Sequence, residues 1–117
     1  MGKATGPTNQ NLVKLILDLK MLSNKEKVKI WKVIALELER PTRSRRSINI
    51  SRIDRYSKLN ETIIVPGKVL GTGVLTKKVN IAAYQFSDSA KSKLKEHMSI
   101  QDIMKKNPKG KDLRILG

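Results

Sequence analysis

The chain contains no cysteine. That excludes a disulfide framework, a thiolate zinc site and a cysteine nucleophile. Aromatic side chains are scarce, with only Trp31, Tyr56, Tyr84 and Phe86 present. A core must then be assembled mainly from Ile, Leu and Val. Histidine occurs once, as His97 at the end of a lysine-rich stretch. A lone imidazole there reads as a surface or helix-end group, not as a catalytic base. No apolar run approaches the ~20 residues of a membrane span, so no membrane partner is expected. The opening Met1–Pro7 has no apolar stretch after Lys3 and does not read as a secretory signal. Acids are also in short supply, and Asp88, Glu96 and Asp102 sit among lysines as local charge balance. No pair of acids has a spacing that argues for a metal site. HExxH, GxSxG and the phosphate-loop pattern are all missing. Neither a catalytic centre, nor a metal, nor a cofactor, nor a small-molecule substrate is expected.

What the chain has in excess is positive charge: twenty-five Lys and Arg against ten Asp and Glu, a formal +15. Such an excess opposes compaction by self-repulsion. A polyanionic partner makes sense of it, because each contacted phosphate releases condensed counterions. The composition therefore points to a nucleic-acid binder.

At 117 residues the length fits one domain. Residues 1–8 read as a flexible tail, and 9–117 as a single domain. Within it lie a helical part at 9–40, a basic segment at 41–47 and a mixed strand and helix core at 48–117. Thr8 or Asn9 offers a cap, and Leu12, Leu15, Ile16, Leu19 and Leu22 mark one helix face. Ser23-Asn24 is expected to break this helix and cap a second one, with Val28, Trp31, Ala35 and Leu38 as its buried stripe. Lys25, Lys29 and Lys32 fall on another face, either solvated or ligand-facing. Pro41 stops this helix. Residues 40–47 carry four arginines, Arg40, Arg43, Arg45 and Arg46, and no apolar side chain to bury. Ile48 and Ile50 suggest a short strand or extended entry. Ser51–Tyr56 suggests one or two helical turns, with Arg52 and Arg55 a turn apart.

Thr62–Val65 is β-branched throughout and is expected to end in a turn at Pro66-Gly67. Val79–Ala83 reads as a second strand, running on towards Phe86. Ser87 or Asp88 caps a short helix to about Glu96. Ser99 with Asp102 makes a capping-box pattern for a last helix to about Lys106. Asn107–Gly110 is a turn and Leu113–Leu116 a closing strand. The segment Gly67-Lys-Val-Leu-Gly-Thr-Gly73 is the one enzyme-like feature. A strand-like sequence follows it, however, where a phosphate-cradling loop needs a helix. Gly67, Gly71 and Gly73 are better read as turn glycines, at least one with positive φ, or as sites of close approach to an RNA backbone.

The stretches Asn49-Ile-Ser-Arg-Ile-Asp-Arg-Tyr56, Ile64-Val-Pro-Gly-Lys-Val-Leu-Gly-Thr-Gly73, Val79-Asn-Ile-Ala-Ala83 and Asn107-Pro-Lys-Gly110 resemble the large-subunit ribosomal protein eighteen-e family, relatives of bacterial large-subunit ribosomal protein fifteen. The resemblance runs from about Thr8 to Leu116, and the short length fits the archaeal type. It implies a mixed α/β fold, with N-terminal helices followed by an irregular ββα-type superhelical core of short strands. It also implies a structural role in the cytoplasmic large ribosomal subunit, with ribosomal RNA and neighbouring ribosomal proteins as partners and no catalysis. The segment Lys95–Ser99 is shorter than its counterpart in the family. A strand between the last two helices is therefore open against a tight turn.

The candidate RNA-binding residues are Arg40, Arg43, Arg45 and Arg46 first, with Arg52 and Arg55. Lys68, Lys77 and Lys78 flank the glycine segment. Lys105, Lys106, Lys109 and Lys111 close the set. Two other readings share some of these features. A chromatin-type DNA-compacting protein calls for a groove-reading helix or an apolar wedge. A small nucleotide-binding enzyme would use the glycine segment. On the leading reading, affinity for structured RNA should fall steeply between about 50 and 200 mM salt. A flat response in a salt titration would remove the electrostatic argument.

Overall fold

The computed structural model describes residues 10–40, 46–94 and 96–116. The N-terminal tail with its Thr8 and Asn9 caps, and most of the arginine run, lie outside the described residues. Five helices and five strands follow in the order α1 (Gln10–Glu26), α2 (Lys29–Leu38), β1 (Arg46–Asn49), α3 (Ile50–Tyr56), β2 (Thr62–Leu70), β3 (Asn80–Phe86), α4 (Asp88–Lys93), β4 (Met98–Ser99), α5 (Ile100–Lys106) and β5 (Leu113–Ile115).

All five strands form one parallel sheet in the order β1-β2-β3-β4, with β5 also on β2. Parallel strands are covered on both faces, so their sequences read as continuous apolar runs. Ile63–Val65 and Ile81–Ala83 are such runs, and all six residues are buried. Ile64 and Ala82 join Leu12, Leu15, Ile16 and Leu19 of α1, Trp31, Ile34, Ala35 and Leu38 of α2, and Ile100 and Ile103 of α5. Ile63, Val65, Ile81 and Ala83 face the other way, onto Ile50 and Ile53 of α3 and Ala90 of α4. The result is the mixed α/β fold expected, with α1, α2 and α5 on one face and α3 and α4 on the other.

Several local expectations are corrected. The first helix does not break at Ser23-Asn24 but continues to Glu26. Buried Ser23 donates its hydroxyl to the Val28 carbonyl at 2.6 Å and accepts the Val28 amide at 3.1 Å through its own carbonyl. The hydroxyl thereby closes the corner, and Lys27, at φ 57°, makes the turn. Ser87 does cap α4, but that helix stops at Lys93 and does not reach Glu96. The link before α5 contains a strand: Met98-Ser99 pairs with Ala82-Ala83, so no tight turn joins the last two helices directly. Ser99 and Asp102 form the expected capping box on α5.

The largest correction concerns Pro66-Gly67. No turn occurs there, and β2 runs through to Leu70. Before this point β2 pairs with β5 (Thr62–Ile64) on one edge; after it, that edge pairs with β1 (Gly67–Leu70). On the opposite edge, two residues of β2, Pro66 and Gly67, stand against the single Tyr84 of β3. Proline has no N–H to give a ladder and is tolerated inside a sheet only at such an irregularity. Pro66 sits at the handover between two neighbours.

The chain turns at Gly71–Gly73 instead. Gly73 has φ 101°, as expected of one glycine in this segment. A Cβ on Gly73 would lie 2.8 Å from the Ser51 backbone, and one on Gly71 would lie 2.7 Å from the Ser89 backbone. The close approach is thus to α3 and α4 of the protein itself. Gly67 is an ordinary strand residue opposite Arg46. Of the apolar pair after the turn, Leu75 packs on the core but Val74 is exposed. Gly73→Ala combines a left-handed backbone with a clash. It should lose more than about 1 kcal/mol of stability in urea unfolding, with or without RNA.

Candidate nucleic-acid interface

The exposed cations gather where the backbone is most firmly fixed. Lys105 and Lys106 occupy the last turn of α5, where the helix dipole favours cations. The following turn is held at several points. Asn107 donates its side-chain amide to the Lys111 carbonyl at 2.7 Å and accepts the Lys111 amide at 3.2 Å. Gly110 donates to the Asn107 carbonyl at 2.9 Å, and buried Trp31 donates Nε1–H to the Pro108 carbonyl at 2.7 Å. Gly110, at φ 63°, packs against Ile30 and Val28. Lys105, Lys106, Lys109 and Lys111 stand outward from this frame, all exposed. None of the four forms an ion pair among the described residues.

Because Gly110 rests on Val28 and Ile30, the lysine turn lies beside the α1–α2 corner, which exposes Lys25, Lys27 and Lys29. Lys25 and Lys105 line the same cleft between α1 and α5, with Met21, Leu22 and Met104 at its base. Two lysine groups separated by some eighty positions in sequence thus form one surface. Lys25 and Lys29 carried a one-face signal in the sequence, but spacing alone cannot say what lies next to that face. The tertiary contact through Trp31 and Gly110 supplies the missing information.

A second basic group lies on α3. Arg52 and Arg55 are exposed and place their guanidinium carbons 5.6 and 5.7 Å from the centroid of the Tyr56 ring. Arg114 of β5 reaches the Tyr56 carbonyl at 2.9 Å and Glu61 at 3.3 Å, tying β5 to the end of α3. Neither Tyr56 nor Arg114 stood among the candidates.

Residues 11–97 match the ribosomal protein family that groups 50S-L15 and 50S-L18e with their 60S counterpart. The chain belongs to this family. It is 48% identical to the large ribosomal subunit protein eL18 of Methanoregula boonei, over 99% of each chain. It is 44% identical to that of Methanothermobacter thermautotrophicus, over 93% of each chain. It is 43% identical to that of Archaeoglobus fulgidus, over 93% of this chain and 97% of the relative. The fold implied by the eighteen-e resemblance is therefore the fold of the family to which the chain belongs.

The remaining candidates divide into outward-facing and engaged cations. Lys68 is exposed on β2, opposite Gln85, and shares a cleft with Lys91. Lys78 is exposed beside Lys93 and Glu96. Arg40 is exposed and lies 3.5 Å from Glu37. Arg43 and Arg45 fall outside the described residues, while Arg46 opens β1. Lys77 differs from the rest. Its ammonium donates to the carbonyls of Asp54 at 2.6 Å and Ser57 at 2.9 Å, closing the C-terminal end of α3. Lys93 does the same for the glycine turn, donating to the Gly71 and Gly73 carbonyls at 2.5 and 3.0 Å. With Thr72's carbonyl taken by the Ser51 amide at 3.1 Å, the turn offers filled carbonyls where a nucleotide loop would offer free amides. Among the described residues no three His, Cys, Asp or Glu gather as metal ligands.

Asp54 fixes the far side of α3. It accepts the Thr76 amide at 2.8 Å, the Thr76 hydroxyl at 2.9 Å and the Lys77 amide at 3.1 Å. The Thr76 hydrogen bonds, then the Lys77 amide and charge, hold its carboxyl below the ordinary 3.8, against a smaller opposing effect of desolvation. A carboxyl lowered on folding stabilises the protein above its unfolded value and loses that contribution as pH falls through the folded value. Asp54→Asn should therefore lower the urea midpoint at neutral pH and flatten its decline below about pH 4. An unchanged acid limb would show that the Thr76 contacts contribute nothing.

Proposed function

We propose that this chain is a structural constituent of the large ribosomal subunit in the cytoplasm, acting in translation without a catalytic step or cofactor. It binds folded ribosomal RNA through its basic surface and packs beside neighbouring ribosomal proteins. The observation that carries this reading is the joint surface of Lys25, Lys27 and Lys29 with Lys105, Lys106, Lys109 and Lys111. Mobile ammonium groups on a rigid backbone suit phosphate contacts that position a protein without reading sequence. Family membership and the printed names of the relatives support the same partner. A role for Arg43, Arg45 and Arg46 rests on the sequence: a run with four arginines and nothing to bury. Shape supplies the specificity, since a folded RNA is recognised through its phosphates, its 2′-hydroxyls and its unpaired bases.

The test is a salt titration on large-subunit ribosomal RNA. Replacing Lys105, Lys106, Lys109 and Lys111 together by Ala should weaken binding. It should also reduce the slope of log K against log salt by about 0.7–0.9 for each phosphate that is no longer neutralised. Replacing Arg43, Arg45 and Arg46 by Ala should do likewise. Neither variant should unfold earlier in urea, because none of the four lysines is buried. An unchanged slope in the lysine variant would remove the basic surface from the interface.

A further inference from the structure

We propose that Tyr56, flanked by Arg52 and Arg55, is a stacking site for one unpaired base of the bound RNA, a proposal that rests on the RNA-binding reading above. Three observations converge on the ring. Trp31, Tyr84 and Phe86 all belong to the two hydrophobic clusters, whereas Tyr56 belongs to neither and is 48% exposed. Placing the ring in water contributes nothing to the core, so its exposure calls for another use.

The backbone beneath the ring is also fixed. Arg114 holds the Tyr56 carbonyl, the Ser57 amide donates to the Ile53 carbonyl at 3.0 Å, and Lys77 closes the carbonyls on either side. A ring on a firmly held backbone loses little freedom when a base settles on it, and such ordering is a principal cost of binding.

The charges around the ring are segregated as well. The two nearest carboxylates are both engaged away from it. Asp54 is committed to Thr76 and the Lys77 amide; Glu61 accepts the Lys58 amide at 2.8 Å and pairs with Arg114. Arg52 and Arg55 therefore keep no acidic partner among the described residues and lie against the ring as cation–π neighbours. When a base stacks on Tyr56, a guanidinium can hold the flanking phosphate or cover the other face of the base. Aromatic and arginine planes are the usual receivers of splayed RNA bases.

The experiment measures affinity of the full chain for the large-subunit ribosomal RNA of Archaeoglobus fulgidus over a series of salt concentrations. The variants are Tyr56→Ala, Tyr56→Leu, Tyr56→Phe and Arg52→Gln with Arg55→Gln. Stacking predicts that Tyr56→Ala and Tyr56→Leu weaken binding on the order of 5- to 150-fold, the usual value of one stacked base. Tyr56→Phe should bind like the parent, because the ring face and not the hydroxyl is used. The Tyr56 variants should keep the parent's salt slope, since the same phosphates stay neutralised, while the double arginine variant should lower it. Equal binding by Tyr56→Ala and the parent would overturn the proposal, as would Tyr56→Leu matching Tyr56→Phe. In both cases loss of affinity in the lysine variant would leave the wider reading standing. Failure of the parent chain to bind this RNA at low salt would sink both.

Discussion

Strand β2 is the element on which the rest of this molecule depends. Among the described residues it is the one strand with neighbours along most of both edges, and it changes partner in mid-course. Its first half lies between β5 and β3, its second half between β1 and β3. A parallel sheet has to be covered on both sides, and β2 links the two hydrophobic clusters through alternate residues, Ile64 to one face and Ile63, Val65 and Val69 to the other. Pro66 lies where the partner changes. The one residue without an amide proton falls at the break in the ladder, and the bulge against β3 absorbs the mismatch. Because β5 ends up beside β2, the lysine turn that precedes it is delivered to the α1–α2 corner, and Arg114 is delivered to α3.

The acidic residues show how a chain with so large a positive excess folds at all. They are spent on structure. Asp54 and Glu61 secure the ends of α3 and β2, Asp102 closes the capping box, and Glu39 pairs with Lys20 at 3.0 Å. Exposed ion pairs of this kind contribute little singly, and the hydrogen bonds to backbone amides are the more useful part. Some cations are spent in the same way: Lys77 and Lys93 satisfy carbonyls that would otherwise be orphaned at a helix end and a glycine turn. What is left is a set of lysines and arginines with no internal use.

How much of this was legible in the sequence follows from what each signal measures. Periodicity and caps report local geometry, so α2, α3, β3, the Ser99–Asp102 box and the 107–110 turn were readable. The turn expected at Pro66-Gly67 does not form because that dipeptide signals a broken ladder, and a break can be a turn or a change of partner. The two possibilities differ only in what lies beside the strand. Likewise Met98-Ser99 became a strand because Ala82-Ala83 had a free edge to offer. Charge density gave the class of partner, but it could not separate Lys77, which is turned inward, from Lys78, which is exposed. Nor could it bring Lys25 beside Lys105. Those distinctions are made by tertiary contacts alone.

The same reasoning explains why the outward-facing lysines sit on the stiffest backbone. A lysine bound to a phosphate loses side-chain freedom, and a mobile loop would lose backbone freedom in addition. The 107–110 turn has already met the second cost in folding, through Asn107, Gly110 and the Trp31–Pro108 hydrogen bond. Trp31 therefore connects core and surface: its ring is buried among α1, α2 and α5, while its one polar atom sets the position of the lysine turn. Packing of the hydrophobic face and presentation of charge are in this way a single structural event, so that losing the core would disperse the basic surface before any lysine had been changed.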